Sequence, residues 1–492
     1  MSKTLLDLET LLKATGGKLI GIGAGSSSVS DFSFTSVTTD SRNVVPGSLF
    51  VPLIGENQNG HKYIPQAIEK GASVVFVNSN ENTEGFSSFA SVVFIAVDNT
   101  LYALQAAAKA YAQKVASNMI RVSITGSSGK TTTKEMLVSV CKAYFGEDAV
   151  ACTKGNFNSE TGLPLSMFQI RGDEKIGIFE MGMNRENEIG EISAVWQSQY
   201  GLITNIGNAH IGILGSRQNI ANEKRKSFDY IPQSGAAFVP EDDDFADYCT
   251  QNVKGKIVRF GKSVPQEISG VEFICDKGLL GTQFKIDGIE TWLRLPGEYN
   301  FQNALGVIAL AKTLGIPADA IKQGLESVAA MSGRMEIKSE TLKNDHTATI
   351  VCDCYNANPD SMKKAIELFA QVKVKGQKVL VLGDMKELGK ESEAAHKEIG
   401  ELVVGAGAYL VILIGPEMEA ADKVMAEHVD DKGFNAIFMS SKDNADDKFE
   451  YFAKQILSFT DDDSLILIKG SHSMSLEKII PLIVKEKEAD VK

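Results

Sequence analysis

Apolar residues along this chain fall into short uninterrupted runs that alternate with longer stretches of helical periodicity, and the alternation divides the sequence into three blocks. Residues 1–115 hold β-rich runs at 47–54 and 72–78, then an Ala-rich segment that predicts a helix over 101–115. From 116 to 330, apolar strands at 120–125, 176–180 and 201–205 are spaced by helical segments. Residues 331–492 repeat the pattern, with strands expected at 348–352, 378–383, 409–414, 436–439 and 465–469. Apolar runs separated by whole helices signal parallel strands joined by crossovers. The expected fold class is α/β in three domains: a small N-terminal α/β domain (1–115), a central parallel-sheet domain (116–330) and a C-terminal Rossmann-like, doubly wound domain (331–492).

Composition narrows the function classes more than the fold. At 492 residues, 43% of them hydrophobic, the chain can fill a packed core in each of about three domains. A net charge of −13 argues against broad binding to nucleic acid or anionic membrane, so an anionic ligand must be held by local basic groups. No run approaches the ~18 apolar residues of a membrane span, and the N-terminus carries acidic residues where a secretory signal wants a basic start. A cytoplasmic, monomeric protein is expected. Cys141, Cys152, Cys249, Cys275, Cys352 and Cys354 form no C-x-x-C pairs, which suits free, mostly buried thiols. The acidic clusters at 241–244 and 461–463 read as solvated loops.

One stretch turns the fold into a chemistry. Ser123–Thr133 reads SITGSSGKTTT between a strand and a helix. Gly126 and Gly129 let the backbone curl so that amides from Ser127 and Ser128 through Thr132 face a polyphosphate. Lys130 supplies a point charge, and the Thr131 hydroxyl is placed for Mg²⁺. Ile124 occupies the first glycine position of the longer motif, so the pattern is the shorter G-x-x-G-K-T form, giving a central domain of P-loop ATPase type.

In parallel sheets ligands gather at the carboxyl ends of strands. The run 176–180 ends in Glu180, a hard ligand for Mg²⁺, and 202–210 runs into His210, so Thr131, Glu180 and His210 are expected on one rim. Asn300 and Asn303, one helical turn apart, suit either an adenine edge or helix capping. Three polar loops follow strands of the third block, at 353–362, 383–388 and 469–474, the last read as opening a helix. Gly21-x-Gly23-x-Gly25 lacks a following helix and reads as a loop.

Together these motifs resemble the Mur ligases, ATP-dependent enzymes that add amino acids to the peptidoglycan stem peptide, and the resemblance spans nearly the whole chain. In the third block, YNANPDSM (355–362), LGDMKELG (382–389) and IKGSHSM (468–474) are most similar to the member that joins D-alanyl-D-alanine to UDP-N-acetylmuramoyl-tripeptide. The D-N-P-R motif of the diaminopimelate-adding member is missing. TDSR (39–42) and GENQNGH (55–61) are similar to the family's UDP-muramoyl-binding domain, which puts Ser41, Arg42 and His61 at the substrate.

The resemblance implies the remaining roles. Lys130 and Thr131 would hold the ATP phosphates and Mg²⁺, with Glu180 and His210 completing the metal sites. Lys224, in IANEK (220–224), would be carbamylated and bridge to a second Mg²⁺; without the resemblance it reads as a surface lysine in a charged run. Asn300, Asn303, Arg334, Tyr355, Asn356 and Asn358 would contact ATP from two sides. Asn156 and Asn158 match the substrate loop, where Ser159 and Thr161 depart from the family pattern. An acyl-phosphate mechanism under domain closure follows. The alternatives are a ligase for a single diamino acid or lysine, a phosphoryl-transferring kinase, and a non-catalytic nucleotide switch.

Overall fold

The structure, a computed structural model, describes residues 4–22, 33–84, 89, 92–428, 434–439 and 446–486. Among them, strands assemble into four sheets. The first, in the order β1-β5-β4-β3-β2, contains β1 (Lys18–Ile22), β2 (Ser36–Thr38), β3 (Ser48–Phe50), β4 (Ala72–Asn78) and β5 (Val93–Val97), with only β1 antiparallel to its neighbour. The second is wholly parallel, β11-β10-β9-β6-β8-β7. Its strands are β6 (Ile120–Thr125), β7 (Val150–Cys152), β8 (Ile176–Glu180), β9 (Tyr200–Ile203), β10 (Ala236–Pro240) and β11 (Lys256–Phe260).

A small antiparallel sheet of β12 (Val271–Asp276), β13 (Thr282–Ile286) and β14 (Ile289–Leu293) follows. The sequence pattern did not announce it, because β12 is half exposed throughout and β13 alternates buried with half-buried residues, so neither forms an apolar run. The fourth sheet runs β15-β16-β20-β17-β18-β19, built from β15 (Glu336–Thr341), β16 (Thr347–Asp353), β17 (Lys378–Gly383), β18 (Leu410–Ile414), β19 (Asn435–Met439) and β20 (Ser464–Lys469). Only its edge strand β15 is antiparallel. Separate apolar clusters cover its two faces, as double winding requires.

The predicted helix is Thr100–Val115, and its alanines explain its place. Ala103, Ala107 and Ala108 let it lie close between the first sheet and the helices Gly162–Met167 and Glu188–Trp196. Phe168, Phe179 and Trp196 therefore share one core with Leu49, Phe76 and Ile95. Under the second sheet, Val122, Ile124 and Phe238 pack with Phe301, Ala304 and Ile308 of the helix Glu298–Thr313.

Register aims the chemistry. β6 pairs with β8 through Ile124 and Glu180 and with β9 through Thr125 and Ile203, so the phosphate loop, Glu180 and the segment after β9 leave the sheet at one edge.

Three expectations change. The loop after β20 opens into 3₁₀ turns, His472–Met474 and Leu476–Ile479, before a four-residue α-helix, so it supplies no long helix N-terminus. The acidic clusters are not simply solvated: Asp243 accepts the Ile206 and Phe245 N–H groups at 2.7 and 2.9 Å, and Asp461 accepts the Gln377 N–H at 2.7 Å. Gly21 lies within β1 instead of a loop, whereas Gly23 and Gly25 lie outside the described residues. Among the described residues no helix is long and apolar enough to cross a membrane.

Candidate active site

Two glycines decide the phosphate loop. Gly126 has φ +149° and a Cβ there would lie 1.9 Å from Thr204 Oγ1; Gly129 has φ +80° and a Cβ would meet Asn303 Nδ2 at 2.6 Å. Both positions thus exclude side chains on backbone and packing grounds. The loop is pinned from beneath by the segment after β9. Asn205 Oδ1 accepts the Ser128 N–H at 3.1 Å, Asn205 Nδ2 and Thr204 Oγ1 donate to the Ser128 carbonyl, and the Ser127 hydroxyl accepts the Gly207 N–H. Thr204 and Asn205 were not singled out by sequence. Their signal was polar side chains at the end of an apolar strand.

Lys130 opens the helix Lys130–Phe145, and its ammonium donates to the Gly126 carbonyl at 2.8 Å. Desolvation holds its pKa below the ordinary lysine value, with Glu180 pulling the other way. Glu180 is buried at the end of β8, where its N–H donates to Thr153 Oγ1 and its Oε1 accepts Asn158 Nδ2 at 2.7 Å. Its Oε2 is buried without a partner. An orphaned carboxylate oxygen is costly unless something positive meets it, so Glu180, with the Thr131 hydroxyl and the His210 imidazole on the same cleft, fits a hard divalent cation such as Mg²⁺.

His210 sits at φ +67°, and its Nδ1 lies 2.7 Å from Glu387 Oε2 of the third block, off the line of a good hydrogen bond. Burial lowers its pKa while Glu387 opposes the shift; Glu387 in turn is held below the usual carboxylate range. Lys224 overturns the surface reading of its charged run: it is 1% exposed. The helix Arg217–Arg225 is turned inward by Glu223, whose carboxylate accepts the N–H groups of Asn187 and Ile189 at 2.9 Å and pairs with Lys226. Burial, then the Lys130 charge, pushes the Lys224 amine well below its ordinary pKa.

From the other side, Arg334 lies 3.7 Å over the Tyr355 ring, and His472 flanks that ring at 5.7 Å. Lys469, buried, pairs with Asp353 at 2.6 Å and donates to the Asn356 carbonyl. Asn358 caps the helix Pro359–Gln371 and donates to Ser128 Oγ at 3.2 Å. Asn300 does not cap its helix; its amide donates to the Pro296 carbonyl, and Asn303 packs on Gly129.

These residues enclose a cleft of about 610 Å³, lined by Ser127 to Thr132, Asn156, Asn158, Glu180, His210, Asn300, Asn303, Arg334, Tyr355, Asn356 and Asn358. Gly126 and Lys224 are not among its lining residues. Ser41, Arg42 and His61 do not line it. Ser41 donates to Gln66, and Arg42 is exposed and paired with Asp40. His61 has both ring nitrogens engaged, with Asn59 and the Asn78 N–H, and burial lowers its pKa.

Three Mur ligase models match the chain: "Mur ligase family, catalytic domain" over 33–119, "Mur ligase middle domain" over 124–311 and "Mur ligase, glutamate ligase domain" over 333–472. The UDP-N-acetylmuramoyl-tripeptide–D-alanyl-D-alanine ligase of Treponema pallidum is 37% identical over 92% of this chain and 95% of its own length. MurF from Acinetobacter baumannii superposes with a TM-score of 0.81 at 26% identity, covering 96% of this chain and 97% of its own. MurF from Thermotoga maritima, solved in complex with ADP, gives 0.74 at 25% identity over 91% and 96%.

Proposed function

This chain belongs to the Mur ligase family, and we propose that within it the chain is the ATP-dependent ligase that joins D-alanyl-D-alanine to UDP-N-acetylmuramoyl-tripeptide. The observation that carries the reading is one cleft in which a phosphate loop, a buried carboxylate with an unpartnered oxygen and a polar loop of a second nucleotide-type sheet face one another.

The Ser127 to Thr132 amides and Lys130 would take the ATP phosphates, and Asn300, Asn303, Arg334, Tyr355, Asn356 and Asn358 the rest of the nucleotide. Asn156 and Asn158 would orient the stem peptide, with Ser41, Arg42 and His61 toward the UDP-muramoyl end. Mg²⁺ would be held by Thr131, Glu180 and His210, with a second ion near Lys224, and when bound it offsets phosphate charge.

The stem-peptide carboxylate attacks the γ-phosphorus; an O–P bond forms as the bond to the ADP oxygen breaks. Lys130 balances charge on the transferring group. The dipeptide amine then attacks the acyl carbon of the resulting mixed anhydride, phosphate departs with the C–O pair, and the amine loses a proton. Because that anhydride hydrolyses in water, the third block must cover the cleft during both steps.

Lys224 is best explained as a carbamate. A buried amine whose pKa is pushed down gives up its proton more readily than an ordinary lysine, and the neutral form attacks CO₂; the N–C bond forms as a proton leaves, and the product is an anion opposite in sign to the Lys130 charge that bears on this site. Bicarbonate-dependent activity, and intact mass heavier by CO₂ that is lost in K224M, test this.

The deciding experiment for the reaction is phosphate release from ATP with the UDP-muramoyl-tripeptide present. D-alanyl-D-alanine should be required, with a product heavier by the dipeptide. Release with lysine, diaminopimelate or D-alanine would instead assign a single-residue ligase.

A further inference from the structure

The first turn of the helix Pro359–Gln371 reaches across to the middle block at two points. Asn358 donates to Ser128 Oγ. Asp360 makes the second contact: its Oδ2 accepts the Asn208 N–H at 2.7 Å and its Oδ1 accepts Asn208 Nδ2 at 3.1 Å. The approach depends on Gly207, where a Cβ would lie 2.2 Å from Asp360 Oδ2. Gly207 in turn donates its N–H to Ser127 Oγ at 2.9 Å.

We propose that Asp360 is a positioning residue for the ligase reaction, a clasp that seats the third block on the phosphate loop through Asn208, Gly207 and Ser127. It faces no substrate group; it acts by favouring the arrangement in which Tyr355 to Asn358 stand over the loop. A carboxylate taking two hydrogen bonds across a gap between blocks, 152 positions apart in sequence, contributes nothing while the blocks are apart and its full worth once they meet. The same residue on a surface facing water would need no matching glycine.

The inference rests on the ligase reading only for its activity readout. Hydrogen exchange of the 204–212 peptide, with ATP alone, reads the clasp without any ligase substrate. D360L should raise exchange there while leaving exchange in β6 unchanged, and should lower kcat for dipeptide ligation about tenfold with little change in KM for ATP. D360N should keep near-normal values, since Asn208 can turn its amide over to pair with it. N208D should be the worst variant, placing two carboxylates together, and the exchanged pair N208D with D360N should recover most of the loss.

Wild-type exchange and kcat in D360L, or no recovery in the exchanged pair relative to N208D, would overturn the clasp. Absence of ligation by the wild-type protein with the exchange pattern intact would instead overturn the ligase reading and leave the clasp standing.

Discussion

The phosphate loop and the helix Arg217–Arg225 bring two lysines near enough for the charge of Lys130 to act on Lys224, yet they do so by opposite means. In the loop, the backbone turn is set locally, by Gly126 at φ +149° and Gly129 at φ +80° within a few residues of the lysine they serve, even though Thr204 and Asn303 from distant segments then pack against those glycines. The helix has no such local logic. Its residues RQNIANEKR are almost all polar, yet Ile220, Ala221, Glu223 and Lys224 are buried because Glu223 finds the start of the helix Glu188–Trp196. A motif can carry its function in its backbone, whereas a buried charged residue gets its function from whatever packs against it.

The largest effect that tests this contrast is at the loop. Lys130→Met should lower kcat for phosphate release by about a hundred- to a thousandfold, with the thermal midpoint unchanged or raised, because it removes a desolvated charge along with its chemistry. Steady-state kinetics beside a thermal melt would check both halves; a large fall in the midpoint would show that Lys130 has a structural duty as well.

Next comes Lys224→Met, expected to cost roughly ten- to a hundredfold in activity and to abolish any response to bicarbonate. Its stability should move the other way. The folded pKa of Lys224 lies below the unfolded value of about 10.4, so the unfolded chain binds the extra proton and folding pays a penalty below the unfolded pKa. That penalty fades as pH rises from the folded pKa toward the unfolded one. The methionine variant should therefore melt higher than wild type at neutral pH in CO₂-free buffer, with the gap closing in alkaline buffer. A constant gap across pH would mean that Lys224 does not titrate between the two states.

Gly129→Ala is a smaller, sharper test. The φ of +80° and the contact with Asn303 should together cost about 1–3 kcal/mol in urea unfolding and weaken ATP binding. Adding Asn303→Ala removes the contact but not the dihedral strain, so it should recover only part of the stability. Smallest of all, Glu223→Gln keeps the size and one acceptor. About 1 kcal/mol of stability should go, with a measurable loss of bicarbonate-dependent activity that Lys226→Met alone does not reproduce.

Much of the architecture was legible because its signals are local. Strands such as 72–78, 120–125 and 378–383 coincide with apolar runs that parallel sheets bury on both faces. Strands β12 to β15 escaped the same reading because half-exposed antiparallel ribbons leave no continuous run. The acidic clusters looked solvated for a similar reason: whether Asp243 meets water or the Ile206 N–H depends on a segment 37 positions earlier. Within the cleft, the glycines, Lys130 and Glu180 could be picked out from their place at a strand end, but Thr204 and Asn205 could not, since their side chains hold the loop at Ser128, 76 and 77 positions away.

What the sequence determined by itself, then, was periodicity, block order and a phosphate loop, all properties of residues that interact with near neighbours. Tertiary structure alone decided that Glu180 keeps one oxygen unpartnered, that Lys224 is buried with its pKa pushed down, and that Asp360 meets Asn208. Those outcomes depend on desolvation and on pairings between distant segments, and neither is written in the order of residues until the chain has closed around them.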